Sequence, residues 1–207
     1  MKILVACEES QVITEQFILK GHDAMSCDIN YPGAKGLPHY RGDVKDLIHE
    51  YYDLVIFHPV CRYIANSGVK HLYIEADRWE NLKKACAFFN LRHEFNSPRV
   101  ATENPVPHKY AVLGFKIFKG VEKWEGIGNY DQIFQPWDFG HREIKATCLW
   151  LKGLSPLIPS DIVGPPPKNR NKSEWDKVHR ASPGPDREKI RSRTYYGVAK
   201  AMAEQWG

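Results

Sequence analysis

No Cys-x-x-Cys pair occurs in this chain, and its five cysteines (Cys7, Cys27, Cys61, Cys86 and Cys148) are odd in number and widely spaced. That pattern suggests neither a disulfide framework nor a metal site, so a reducing cytoplasm is the expected compartment. The N-terminal MKILVACEES has one lysine and a short apolar run. It lacks the length of a signal peptide or a membrane span and reads as a buried strand, so no membrane partner is expected. A large charge excess is also missing: a net +4 and a pI of about 8.7 permit contact with nucleic acid without arguing strongly for it. There is no internal repeat and no sign of a second domain. The 207 residues, 43% hydrophobic and 26% charged, fit one soluble globular domain able to bury most of its surface without cross-links.

What is present is an alternation. KILVAC (2–7) is a β-rich run, and SQVITEQFILKG (10–21) then reads as a helix with Val12, Phe17 and Leu19 as its buried face and Gly21 as its stop. HDAMSCDIN (22–30) reads as a second strand ending in Asp28, and HYRGDVKDLIHEY (39–51) as a turn at Gly42–Asp43 followed by a short helix. YDLVIFHP (52–59) is a strong strand stopped by Pro59. In EADRWENLKKACAFFNLRHEF (75–95), Trp79, Leu82, Ala85, Cys86 and Phe89 recur at helical spacing. RVATENP (99–105) follows as a strand. Strand and helix alternating over short connections predict an α/β doubly wound, mostly parallel sheet. Ligands in such sheets sit at the carboxyl ends of the strands. Here those ends carry Cys7–Glu9, Asp28, Pro59–Cys61 and Glu103–Asn104.

The second half is less regular. YDQIFQPWDFGHREIKATCLWLKGL (130–154) suggests two strands around a turn near Gly140, with TCLWL buried. Residues 155–190 carry Pro156, Pro159, Pro165, Pro166, Pro167, Pro183 and Pro185 beside Lys168, Arg170, Lys172, Lys177 and Arg180. They read as an extended, solvated loop, mobile unless a partner orders it. YYGVAKAMAEQW (195–206) closes the chain as an amphipathic helix with Val198, Met202 and Trp206 spaced by four.

A cysteine at a strand end is usually a small core hydrophobe. Cys61 has three neighbours that suggest more. Pro59 fixes the backbone, Arg62 can stabilise a thiolate, and ANSG (65–68), with Ser67, supplies small polar residues for a loop closing over a planar substrate. In TENPVP (102–107), Glu103 and Asn104 leave a buried strand together, which is costly unless they are partnered or used. Glu103 reads as an exposed rim residue, as the partner of a nearby arginine, or as a general acid for a ring nitrogen.

A strand followed by Pro-x-Cys, then about forty residues later a strand followed by Glu-Asn-Pro, resembles the DNA cytosine C5-methyltransferases. The chain is similar in particular to the compact methyltransferase-like proteins of phages and prophages. The resemblance runs in order through ILVACEESQVITEQFILKGHDAMSCDIN, GDVKDL, FGHREIKATCLWLKGL and RSRTYYGVAKAMAEQW. It implies a sheet of the S-adenosylmethionine-dependent methyltransferase type, S-adenosylmethionine as cofactor, and DNA as partner with its cytosine flipped out or single-stranded. Cys61 would be the nucleophile and Glu103 the group at N3, with Asn104 holding the loop and Lys145 near O2. Asp28 and Asp43 would meet the ribose and adenine, and Pro59 would border the cofactor. The expected setting is the cytoplasm of a bacterial cell or a phage-infected host.

The chain departs from the family in three places. Where the family has a Gly-x-Gly turn, this sequence has EESQ. Glu8 or Glu9, with Ser10, then takes the ligand's amino group, or the two glutamates are a solvated pair at a helix N-terminus. Val60 replaces a second proline, and the basic segment reads Glu143-Ile144-Lys145-Ala146-Thr147. Lys145 on this reading assists at the base or is a surface lysine. A separate target-recognition region is missing. The expected organisation is therefore a methyltransferase-like domain over 1–154, the Pro/Lys-rich loop 155–190 in place of that region, and a C-terminal helix over 191–207 packing back. Arg62, Ser67, Lys168, Arg170, Lys172 and Lys177 are the candidate DNA contacts, with Trp175 and His179 as stacking groups; a second protein is a candidate aid to target recognition. Two other readings stay open: a protein that kept the fold and lost the methyl donor, acting as a DNA-binding or decoy factor, and an enzyme acting on a free cytosine nucleotide.

Overall fold

The apolar runs become strands in the computed structural model, which describes residues 1–118, 121–169, 172–178, 180–182, 184 and 187–207, with backbone only at 116–118, 121–122, 172–173 and 188–190. The chain runs β1 (Lys2–Ala6), α1 (Val12–Leu19), β2 (Asp23–Asp28), β3 (His39–Arg41), β4 (Leu54–Phe57), α2 (Arg78–Asn90) and β5 (Val100–Pro105). It continues through α3 (Lys109–Leu113), β6 (Gly114–Phe118), β7 (Val121–Glu125), β8 (Gln132–Phe134) and β9 (Thr147–Lys152), then α4 (Lys172–Trp175), α5 (Arg187–Ser192) and α6 (Tyr196–Trp206).

One sheet has the order β3-β2-β1-β4-β5-β9-β8. Its pairs are parallel from β3 to β5, and β9 runs antiparallel to both β5 and β8. The protein is therefore mixed α/β with a mostly parallel sheet, and the strand order reverses between β1 and β4, where doubly wound folds bind ligands. The central strands are covered on both sides, which is why Leu54–Phe57 tolerates an unbroken apolar run. Ile3, Val5, Leu54, Ile56 and Leu149 pack against α1 and α6; on the other face Leu4, Val55 and Phe57 meet Val44, Ile48, Tyr52 and Phe95. Trp79, Leu82, Cys86 and Phe89 of α2 complete that second layer with Cys148 and Trp150.

Two sequence expectations are corrected, and one pair of strands was not anticipated. Leu19 is 71% exposed while Phe17 is fully buried. Residues two apart on a helix point to opposite sides, so the two cannot share one face. The hairpin β6–β7 was not anticipated; it packs beside α2, with Phe115 and Trp124 against Trp79. Finally, the described part of 155–190 is not uniformly solvated. Leu157 and Trp175 are buried, and Gln132 and Gln205 each form a pair of hydrogen bonds, with the backbone of Leu157 and Ile158 respectively. The apolar residues spaced between the prolines anchor the segment to the domain. No helix among the described residues is long and apolar enough to cross a membrane.

Candidate active site

The loop after β4 is fastened at several points. Asn104 donates from Nδ2 to the Pro59 carbonyl at 2.9 Å, the Asn66 amide donates to the Val106 carbonyl at 2.8 Å, and the His108 amide donates to the Ile64 carbonyl at 3.1 Å. His108 accepts the Ala111 amide on Nδ1, so its proton lies on Nε2, which donates to the Tyr63 carbonyl at 3.0 Å. Burial also pulls the His108 pKa down, in keeping with a neutral ring. Arg78, buried in α2, donates to the Arg62 carbonyl at 2.7 Å and lies over the Tyr63 ring. The segment carrying Cys61 is thus held by the residues that follow Glu103 and by α2. Sequence reasoning missed His108 and Arg78, because nothing local marks a residue as the staple of a distant loop.

Glu103 and His58 form the polar centre of the site. His58 Nδ1 lies 2.9 Å from Glu103 Oε2, and both side chains are only 13% exposed. Burial by itself pushes the Glu103 carboxyl up, but its partnership with His58, first through the hydrogen bond, and the Lys145 charge outweigh it, and the net shift is downward. Neither an exposed rim position nor an arginine partner describes this carboxylate. His58 is itself missed by the sequence reading, although it immediately precedes Pro59.

Cys61 is half-buried and unpaired. Burial and then the Glu103 charge push its thiol up, against the opposing pull of Lys145 and Arg191. Arg62 is exposed, with its guanidinium toward the Tyr63 ring. The expectation that it stabilises a thiolate is therefore corrected: the cations near the sulfur come from the β8–β9 connection and from α5.

Lys145 is not a free surface lysine. Its Nζ donates to the Arg193 carbonyl at 3.2 Å and lies 5.7 Å from the Tyr195 ring centre. It lines a cleft with Glu103, Phe134, Thr147, Thr194, Tyr195, Val198 and Met202. The Tyr195 hydroxyl is buried there without a hydrogen bond among the described residues.

At the ends of β1 and β2 the glycine-less loop adopts a shape that glycine usually supplies. Cys7 and Gln11 have φ of 61° and 53°, a left-handed conformation that costs a side-chain-bearing residue about 1–2 kcal/mol. Gln11 is held by bonds from its Nε2 to Ser26 Oγ and the Leu37 carbonyl, and by accepting the Lys35 amide on Oε1. The glycine sits across the loop instead: a Cβ on Gly33 would lie 2.9 Å from the Gln11 amide group. Asp28 accepts the Asn30 and Tyr31 amides on Oδ1, and Asp43 accepts the Lys45 amide on Oδ1. The second oxygen of each makes no hydrogen bond among the described residues. Both charges, after burial and Cys27, push the Cys7 thiol up, which places the two carboxylates around the end of β1.

Glu8 is neither solvated nor turned toward a ligand. Its buried carboxylate accepts the Ile13 amide at 2.7 Å, the Thr14 amide at 3.2 Å and the Thr14 hydroxyl at 2.7 Å; the Ser10 hydroxyl also donates to it at 3.4 Å. It therefore caps α1, whose own N-cap residue, Gln11, makes no side-chain cap. Glu8→Ala is expected to cost about 2–3 kcal/mol, since it leaves buried donors unpaired. The melting temperature should fall by about 5–10 °C for a chain of this length, as read by circular dichroism. A glutamate reserved for ligand would leave the melt unchanged. Glu9 contributes its carbonyl to the Ala34 amide.

Of the expected DNA contacts, Ser67, Lys168 and Lys177 are exposed as Arg62 is, at scattered places. Trp175 is buried, 6.3 Å from the Trp137 ring, with its carbonyl accepting the Ile144 amide, so it is a packing anchor and not a free stacking group. Arg170, His179, Pro183 and Pro185, and the side chain of Lys172, lie outside the described residues.

No protein-family profile matches the chain, and no curated protein matches it. Among solved structures it is similar to one provisionally described as a DNA modification methyltransferase encoded within an Escherichia coli prophage, at 16% identity and a TM-score of 0.45. The match covers 79% of this chain and 52% of that one, so the chain spans about half the length of that structure. A likeness this distant says nothing about chemistry.

Proposed function

We propose that the protein is an S-adenosylmethionine-dependent DNA cytosine C5-methyltransferase of minimal size, working through a covalent adduct between Cys61 and cytosine C6. The observation that carries this reading is the convergence of Cys61, Glu103 and Lys145, from three sequence-distant segments, with Asn104 tying the first two together.

Cytosine C5 is a poor nucleophile unaided. Addition of sulfur to C6 makes C5 enamine-like, which divides one hard step into easier ones. The C6–S bond forms as N3 gains a proton through Glu103, and Lys145 polarises the ring at O2. Loss of the C5 proton later breaks the C6–S bond and frees Cys61. In a duplex the base must first leave the stack.

The residues at the β1 end fit the cofactor in part. The left-handed loop at Cys7–Gln11 and the open oxygens of Asp28 and Asp43 offer a place for ribose and adenine, with Pro59 at its border; Glu8 is committed to α1 and offers nothing. When bound, the cofactor would supply an electrophilic methyl group. The inward turn of Glu8 favours a second reading, a DNA-binding protein that has lost the donor.

Nucleoside mass spectrometry of DNA from cells expressing the protein tests the choice without knowledge of the target site. A 5-methylcytosine signal absent from control cells supports the enzyme. Unmodified cytosine, with the protein folded and unable to bind S-adenosylmethionine, would leave the donor-less reading.

A further inference from the structure

The proposed reaction needs sulfur without its proton and N3 with one. The resting site is arranged the other way round. The carboxylate of Glu103 receives the Nδ1–H of His58, and the opposite ring nitrogen, Nε2, is buried with no hydrogen-bond partner. A doubly protonated imidazole would bury an unpaired charged N–H there, which is expensive. The arrangement that leaves least unsatisfied is a neutral ring with its proton on Nδ1 and an ionised carboxylate accepting it.

We propose that His58 is a positioning residue that keeps Glu103 ionised and aimed in the resting site, so that the proton Glu103 delivers to the base is the one Cys61 gives up. The step balances without any other reactant. The S–H bond breaks, its proton passes to the Glu103 carboxylate and on to N3, and the sulfur electron pair forms the bond to C6. The carboxylate is restored once N3 is protonated. No net charge is created, which matters in a site this buried, because separated charges there are poorly screened.

The groups facing this carboxylate come from every side. His58 lies at the end of β4, Cys61 in the loop beyond it, Lys145 before β9 and Cys148 within β9, while Arg191 of α5 faces the sulfur. Lys145 also favours the ionised form of Glu103, so removing His58 should weaken the effect without abolishing it. The downward shift of the Glu103 pKa and the upward shift of the Cys61 thiol agree with a resting thiol–carboxylate pair.

The inference rests on the proposed methyltransferase reaction, and two measurements separate the two. In the first, 13C NMR of carboxyl-labelled glutamate, with Glu103→Gln to assign the resonance, follows the titration of Glu103. In the intact chain it should fall below the ordinary glutamate range of about 4.3. His58→Leu should raise its proton affinity tenfold or more. His58→Asn, whose amide N–H replaces the Nδ1 donor, should restore most of the difference. Equal titration in all three folded proteins overturns the proposal.

In the second, capture of Cys61 by oligonucleotides containing 5-fluorocytosine, with S-adenosylmethionine present so that fluorine in place of the C5 proton blocks release after methyl transfer, is followed against pH. The low-pH limb should move upward in His58→Leu and return toward the parent in His58→Asn. A purely structural role would lower the rate at every pH alike, and that result also overturns the relay. A parent chain that titrates as described yet captures no fluorocytosine would sink the methyltransferase reading, and the relay to the base with it, while the link between His58 and Glu103 stands.

Discussion

Cys61→Ser is expected to fold like the parent chain and to form no methylated cytosine. The substitution exchanges a half-buried thiol for a hydroxyl of nearly the same size, and Cys61 is in no disulfide. Stability should therefore change by under about 1 kcal/mol. The chemistry should not survive. A serine hydroxyl is far less nucleophilic than a thiol, and Glu103, the carboxylate whose charge reaches it, is a weak base. Loss of a covalent nucleophile from a working site reduces turnover on the order of 10⁴-fold or more. Denaturing gels with fluorocytosine DNA and S-adenosylmethionine provide the check: a shifted, protease-sensitive band for the parent chain and none for the variant, with matching melting curves. An adduct formed equally well by Cys61→Ser would remove Cys61 from the mechanism and return it to the core-packing role most strand-end cysteines have.

Asn104→Asp should also be damaging, by a different route. Asn104 is 1% exposed, and its Nδ2 donates to the carbonyl of Pro59, two residues before Cys61. An aspartate has almost the same shape, yet it has no proton to donate and would set a carboxylate against a carbonyl oxygen in a buried place. The expected cost is about 1–3 kcal/mol in stability. The larger effect falls on rate. Displacing a reacting group by about 1 Å costs on the order of 100-fold, and the Pro59 tie is what fixes the start of the Cys61 loop against the end of β5. Chemical denaturation and the rate of fluorocytosine capture, compared with Asn104→Ala, test both parts. A variant that loses stability but captures at the parental rate would confine Asn104 to scaffolding.

Periodicity was enough to place most elements. The helical spacing of Trp79, Leu82, Ala85, Cys86 and Phe89 becomes the buried face of α2 as expected, and Val198, Met202 and Trp206 become the buried face of α6. These patterns are legible because a helix face or a two-sided strand is a local consequence of where apolar side chains fall. The strand ends were legible for the same reason: prolines and polar residues stop an apolar run, and in a parallel sheet those stops collect on one side. Hence Asp28, Cys61, Glu103 and Asn104 could be named before any tertiary structure was known.

What only the tertiary structure decided is which polar group each of these meets. His58 and Glu103 are 45 positions apart; Lys145 and Arg191, the cations near Cys61, come from the far half of the chain. Glu8 looks like a ligand contact in sequence and is a helix cap in space, because the left-handed Gln11 carries its amide group away from α1. Trp175 looks like a stacking group and is an anchor. Burial and pairing of polar atoms depend on all the chain segments surrounding them, and no window of sequence contains that sum. The sequence alone determined an alternating α/β chain with polar and thiol-bearing residues at its strand ends; the packing of distant segments determined which of those residues are buried, which are paired, and which lie beside one another.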